Sequence, residues 1–214
     1  MAASNKIFKL YLDFLQKHGS PEKFWPQWCA LRKSPKQREL IAIGAILTQR
    51  TSWHNADLSL RNLKKAGLLS LKKVSDLDNY NQLRELIRPA GFYQSKPRRL
   101  YDFCSFIIKE YSSLEKFMKE DLKIAREKLL SLYGIGPETA DTILLYALDR
   151  LSFVIDEYTK RLVKKRGLAT SFTYDYLKDF FERNLPQEVK AYQEFHALII
   201  VEEKGKASSI MKRV

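Results

Sequence analysis

Two features of this 214-residue chain carry chemistry by residue type and spacing. The first is Gly134-Ile-Gly136, followed by Pro137, Glu138 and Thr139. Leu129, Leu130, Leu132 and Ile135 before it, and Ala140, Ile143, Leu144 and Ala147 after it, recur at helical spacing. The stretch reads as helix, tight hairpin, helix. Each glycine admits backbone angles and close approaches that a side chain forbids. Pro137 suits the first position of the second helix, where a missing N–H costs nothing. The N–H groups of Gly134, Gly136, Glu138 and Thr139 are then without helical partners and form an anion site at a helix N-terminus. An ordinary αα-turn with a glycine C-cap has the same pattern, and G-x-G alone favours the turn. The second feature is Asp156, in Val154-Ile-Asp-Glu-Tyr-Thr-Lys-Arg161. It precedes a basic helical stretch, Glu157–Arg166, whose N-cap it is suited to be.

These features need a scaffold, and composition says what kind. Apolar residues make up 45% of the chain, glycines and prolines number only 8 and 7, and most apolar patterns have helical period. An all-α fold follows. Lys and Arg total 38 against 25 Asp and Glu, a net charge of +13 with pI ≈ 9.6. That excess points to a polyanion, nucleic acid or an acidic membrane surface, and exceeds what solubility asks for. No apolar run is long enough to span a bilayer, and charges interrupt the N-terminal apolar residues, so no signal peptide is expected. Cys29 and Cys104 lie far apart, without metal-ligand spacing, in apolar helical contexts that suit buried reduced thiols. A reducing, cytoplasmic setting fits, at the nucleoid if the source is bacterial.

The chain in order gives helices over 5–17, 36–50, 55–67, two short ones within 69–88, then 99–111 and 115–132, the hairpin, and finally 157–166, 173–184 and 187–203. Between the first two, Phe24-Trp-Pro-Gln-Trp28 is an aromatic cluster broken by proline: a poor regular helix and a rigid wall. Arg88-Pro-Ala-Gly-Phe-Tyr-Gln-Ser-Lys-Pro-Arg-Arg99 is a turn crowded with positive charge.

Taken together, Leu-x-Gly-Ile-Gly-x-x-Thr-Ala-Asp, an apolar helix, and Val-Ile-Asp-x-Tyr-x-x-Arg resemble the helix-hairpin-helix DNA glycosylases of the endonuclease III superfamily, over roughly residues 38–206. The resemblance implies a two-domain helical fold. Residues 1–37 and 154–214 would form one domain. Residues 38–153 would form a six-helix barrel domain, with the hairpin at 130–141 and the DNA cleft between the two. It implies that Gly134, Ile135, Gly136 and Thr139 grip backbone phosphate, and that Gln49, in Leu47-Thr-Gln-Arg-Thr51, enters the duplex beside the extruded nucleotide. Lys96, Arg98 and Arg99 would contact phosphates. Asp156 matches the catalytic aspartate, though a structural helix cap remains its other reading.

The branch resemblance is narrower. Phe24-Trp25-Pro26, Gly44-Ala-Ile-Leu-Thr-Gln49 with Trp53, Arg88-Pro-Ala-Gly-Phe-Tyr93 and Gly134-Ile-Gly-x-Glu-Thr-Ala-Asp141 look like the third type of 3-methyladenine DNA glycosylase. This implies a base pocket of Trp25, Pro26 and Trp53, lined also by Lys206, with Lys204 as the alternative. Bifunctional relatives have a lysine at the position of Glu138, and glutamate cannot form a Schiff base. The resemblance therefore implies a monofunctional enzyme that hydrolytically excises an alkylated purine from damaged double-stranded DNA as a monomer. A cationic alkylated adenine is a good leaving group and suits indole faces. The four cysteines that hold an iron–sulfur cluster in many relatives have no counterpart, so no such cluster is expected, and the hairpin carbonyls leave room for a monovalent cation. The other readings are a glycosylase for oxidised pyrimidine, uracil or mismatched thymine, and a helix-hairpin-helix protein that binds DNA without cutting it. His54 and His196 fit structural roles better than acid roles.

Overall fold

The computed structural model describes residues 2–30 and 32–204, and among these it is built from helices without strands. Twelve α-helices follow in order: α1 (Ala2–His18), α2 (Pro26–Cys29), α3 (Pro35–Leu47), α4 (Trp53–Lys65), α5 (Leu71–Ser75), α6 (Lys96–Tyr111), α7 (Leu114–Phe117), α8 (Leu122–Ser131), α9 (Pro137–Thr142), α10 (Glu157–Arg166), α11 (Tyr174–Asn184) and α12 (Val189–Lys204). No helix of the described residues is long and apolar enough to cross a membrane.

Helix starts follow local chemistry. Ser34 and Gln37 form a reciprocal capping box before α3, and Ser52, Ser113 and Asp121 cap α4, α7 and α8. The Asp121 cap is why the expected single helix over 115–132 is two: the chain restarts there after Met118. Similarly, the region 69–88 holds one short α-helix and 3₁₀ turns at Tyr80–Leu83 and Arg88–Ala90.

One buried apolar cluster runs through the molecule. α1 packs on α11 and α12, and α10 packs on α12, so the two ends of the chain meet. α3 lies against α4, α6, α7, α9 and the segment that continues α9. That segment, Ile143–Ala147, is a π-helix, an irregularity with no sequence signal.

The non-helical stretch from Leu148 to Asp156 is fixed from the side by a buried carboxylate. Asp141, fully buried on α9, takes a two-pronged contact from Arg126 of α8 (Nε–Oδ1 2.8 Å, Nη2–Oδ2 3.1 Å). Ser152 Oγ donates to Oδ1 at 2.7 Å and Tyr174 OH to Oδ2 at 2.8 Å. Ile155 N–H reaches the same phenol at 3.4 Å, one residue before Asp156. Four elements thus close on one charge. Removing one member of such a buried pair strands the other, at a cost of about 3–5 kcal/mol. Asp141→Ala should lose stability on that scale in urea denaturation. A loss under 1 kcal/mol would show that the network is dispensable.

Candidate active site

The hairpin forms where α8 ends at Leu132 and Ile135 N–H turns back to Leu132 O (3.1 Å). Gly134 takes φ +72°, which a side chain resists, and the Arg99 side chain lies across its open face. Gly136 is the N-cap of α9, with open space where a Cβ would stand. Ala140 N–H bonds Gly136 O at 2.9 Å, so the Gly136, Glu138 and Thr139 N–H groups lie ahead of the helical ladder. Ile135 is buried and anchors the hairpin tip from within. Beside the hairpin, Arg98 stacks its guanidinium on exposed Tyr133, 4.5 Å from the ring centre.

Gln49, expected to enter a duplex, is here tied to the hairpin. Its Nε2 donates to Gly134 O (2.9 Å) and Thr139 Oγ1 (3.0 Å), and Arg99 Nη1 donates to its Oε1 (2.7 Å). Thr139 is buried beneath it. The expectation for Lys96 fails. Lys96 is fully buried, and its ammonium donates to Leu47 O (2.9 Å), Gln49 O (2.9 Å) and Ala90 O (2.8 Å). It closes the C-terminal end of α3 and cannot touch phosphate. It also bridges two loops that each carry a left-handed non-glycine residue, Arg50 (φ 50°) and Phe92 (φ 48°). Phe92 is about half exposed, at 49%, an apolar ring held out from a strained backbone. Burial, with Arg99 nearby, brings the Lys96 amine down to about 8.

Asp156 caps α10: its Oδ1 accepts from Thr159 N–H (2.7 Å) and Thr159 Oγ1 (2.9 Å). Its Oδ2 faces His196 Nε2 of α12 at 3.4 Å. Burial pushes this carboxyl up, but the His196 and Thr159 contacts outweigh it and hold the group below the usual carboxylate range. Glu138, the second residue of α9, shares this neighbourhood. Its side chain is solvent-exposed; partial desolvation and then the Asp156 charge push its carboxyl up.

Each of the two tryptophans expected to hold a base packs against another ring. Trp53 makes its ring contact with Trp28, edge-on at 5.4 Å, and Trp28 in turn meets Tyr146 at 5.3 Å. Gly44 of α3 leaves room for them: a Cβ there would lie 3.4 Å from Trp28 and 3.6 Å from Trp53. Trp25, buried, packs edge-on to Phe24, and Pro26 is exposed at the start of α2. The indole N–H groups of Trp25, Trp28 and Trp53 are all buried and have no acceptor among the described residues. Tyr146, on the π segment, touches both Trp28 and His196, so the aromatic group and Asp156 are joined through it. Trp28 and Tyr146 were not among the expected site residues. Trp28 had a signal, lying three residues after Trp25 in a proline-broken cluster, whereas Tyr146 depends on the π turn. Lys204 lies over the Tyr158 ring at 5.1 Å, and Lys206 falls outside the described residues. No group of three or more His, Cys, Asp or Glu among the described residues could hold a metal ion.

Comparison with known proteins bears on this geometry. The family model for HhH-GPD superfamily base excision DNA repair proteins matches residues 43–187. A Methanocaldococcus jannaschii protein, provisionally named a DNA repair glycosylase, is 44% identical over 197 residues, covering 91% of this chain and 85% of that one. The crystal structure of the H. pylori 3-methyladenine DNA glycosylase bound to 1,N6-ethenoadenine superimposes with TM-score 0.77 at 32% identity, covering 95% of this chain and 97% of that one. An endonuclease III–DNA complex shares the fold, with TM-score 0.66 at 17% identity over 92% of this chain and 84% of that one.

Lys96 gives a direct test of the corrected role. Lys96→Met leaves three carbonyls without their donor and should cost about 3 kcal/mol at pH 7. The folded amine titrates near 8, below the unfolded value of about 10.4, so the unfolded chain holds more protons between these limits. Wild-type stability relative to Lys96→Met should therefore rise from pH 8 to pH 10. A gap that narrows over this window in paired urea titrations would contradict the assignment.

Proposed function

The chain belongs to the HhH-GPD superfamily of base excision DNA repair proteins, and from that premise we propose that it is a monofunctional DNA glycosylase releasing an alkylated purine from duplex DNA. The observation that carries this reading is the placement of Asp156. Its carboxylate is ionised and buried, beside the hairpin helix and linked through Tyr146 to a tryptophan cluster.

Excision breaks the bond between C1′ and the base nitrogen, with the bonding electrons leaving on the base. An alkylated adenine is cationic before cleavage and neutral after it, so the leaving group needs little acid help. The sugar gains oxocarbenium character, which the Asp156 carboxylate stabilises. A water then bonds C1′ and passes its proton to Asp156 or to solvent. The electron-rich indoles favour a cationic base, and their buried N–H groups are donors for its ring nitrogens. A similar protein has been crystallised with a modified adenine, which agrees with a purine pocket.

Duplex DNA reaches this site along the hairpin. The open N–H groups at Gly136, Glu138 and Thr139 take phosphate, with Arg98 alongside. Phe92 is shaped to wedge between bases, and Gln49 to follow once its bonds to the hairpin are exchanged for contacts in the duplex. Glu138 stands where a lyase would need an amine, so hydrolysis is the only outcome.

The test is base release from methylated DNA, with free 3-methyladenine and 7-methylguanine measured separately and oligonucleotides carrying oxidised pyrimidine or uracil as alternatives. Alkylpurine release is expected from the wild type. Asp156→Asn, which keeps a capping oxygen, should fold and bind DNA yet lose about 10²-fold or more in single-turnover rate. No borohydride-trapped adduct should form. Release of only an oxidised pyrimidine, or a trapped adduct, would overturn the reading.

Gly136→Asp isolates the hairpin. The site has room for the side chain, and aspartate is a good N-cap, so the variant should melt no lower than wild type. Its charge against the phosphate should weaken binding to damaged and undamaged duplexes alike. Wild-type affinity should fall steeply with added salt. Fluorescent duplex titrations at two salt concentrations read both effects, and unchanged affinity in Gly136→Asp would mean the hairpin is only a turn.

A further inference from the structure

We propose that His196 is a positioning residue for Asp156, donating Nε2–H to the carboxylate oxygen that faces the reaction, with Tyr146 fixing the imidazole in that orientation. The inference rests on Asp156 being the reacting carboxylate. Four buried groups form a line: Gln193 O, Tyr146 OH, His196 and Asp156. Tyr146 OH lies 3.1 Å from Gln193 O and 2.8 Å from His196 Nδ1, and His196 Nε2 lies 3.4 Å from Asp156 Oδ2.

The phenol has one proton, which leaves two arrangements. If Tyr146 donates to Nδ1, the neutral ring carries its proton on Nε2. If Tyr146 donates to Gln193 O, it accepts Nδ1–H, and a bare Nε2 would then present a lone pair to an ionised carboxylate. That repulsion is relieved only by a proton on Nε2. Both arrangements put N–H toward Asp156.

Nε2 is buried without any hydrogen bond of good geometry, so Asp156 is the acceptor within its reach. The two oxygens of Asp156 thereby divide their work. Oδ1 is saturated by Thr159, and Oδ2 is held only by the longer, adjustable contact to His196. An oxygen held this way can shorten its bond as charge shifts in the transition state.

Other ionisable groups face the pair. Glu138 comes from α9, Lys160 and Glu157 from α10, and Cys29 of α2 lies behind Tyr146. Glu138 is the one that could imitate an Asp156 titration, so the experiment includes Glu138→Gln.

Single-turnover excision on methylated duplex DNA is measured from pH 4.5 to 9 for wild type, His196→Leu, His196→Gln, Tyr146→Phe, Glu138→Gln and Asp156→Asn. Folding is checked by melting, and DNA affinity is measured in parallel. His196→Leu should slow excision by about 10–100-fold, the scale of a misplaced catalytic group, with DNA affinity unchanged. Its acid limb should move to higher pH, because the carboxylate loses a donor. His196→Gln, whose amide places N–H near the Nε2 position, should recover much of the rate, and Tyr146→Phe should show a smaller shift in the same direction. Glu138→Gln should keep the wild-type acid limb. If His196→Leu does not fold, His196→Gln and Tyr146→Phe carry the test: wild-type rate and acid limb in both, or in His196→Leu, overturn the inference. Full activity in Asp156→Asn instead removes the proposed function on which it stands.

Discussion

A single buried negative charge organises the structure around the hairpin. Asp141 has no exposure, and a buried carboxylate must be matched by donors. Its donors come from α8, from the Ser152 segment and from α11, and Tyr174 extends the contact to the backbone beside Asp156. The hairpin, the segment after it and the C-terminal helices therefore cannot move independently. The hairpin N–H groups and the Asp156 carboxylate thereby keep one relative position.

Lys96 does comparable work on the other side. A helix C-terminus leaves carbonyls unpaired and a partial negative charge, and a buried ammonium answers both. By taking oxygens from the end of α3, from Gln49 and from Ala90, it fixes two loops with one group. The Gln49 side chain then closes the remaining gap to the hairpin. Basic residues in this turn thus have different fates. Arg98 faces solvent on Tyr133, Arg99 covers Gly134, and Lys96 is interior.

The chemistry follows from how two neighbouring carboxylates are treated. Asp156 accepts two hydrogen bonds from Thr159 at Oδ1, faces His196 at Oδ2 and is held below the usual carboxylate range, while the exposed Glu138 has its carboxyl pushed up by partial desolvation and by Asp156. A line of ring contacts runs from Trp53 through Trp28 and Tyr146 to His196, which faces Asp156.

The all-helical class, the hairpin and the cap at Asp156 were legible because each is a local matter: apolar period, glycine and proline placement, and a carboxylate before a helix. The family pattern was legible for the same reason, being a run of short-range signals in order. Lys96 was misread because it stands in one basic run with Arg98 and Arg99, and only packing shows that its side chain turns inward to three carbonyls. Trp28 is the ring partner of Trp53, a contact made by the space above Gly44 and not by spacing along the chain. The Tyr146–His196–Asp156 line joins residues as much as 50 positions apart through a π turn that leaves no mark in the sequence. Sequence by itself determined which local elements form and which groups are available for chemistry. Tertiary structure alone decided which of those groups meet, because burial and the need to pair every buried polar atom are settled between elements distant in the chain.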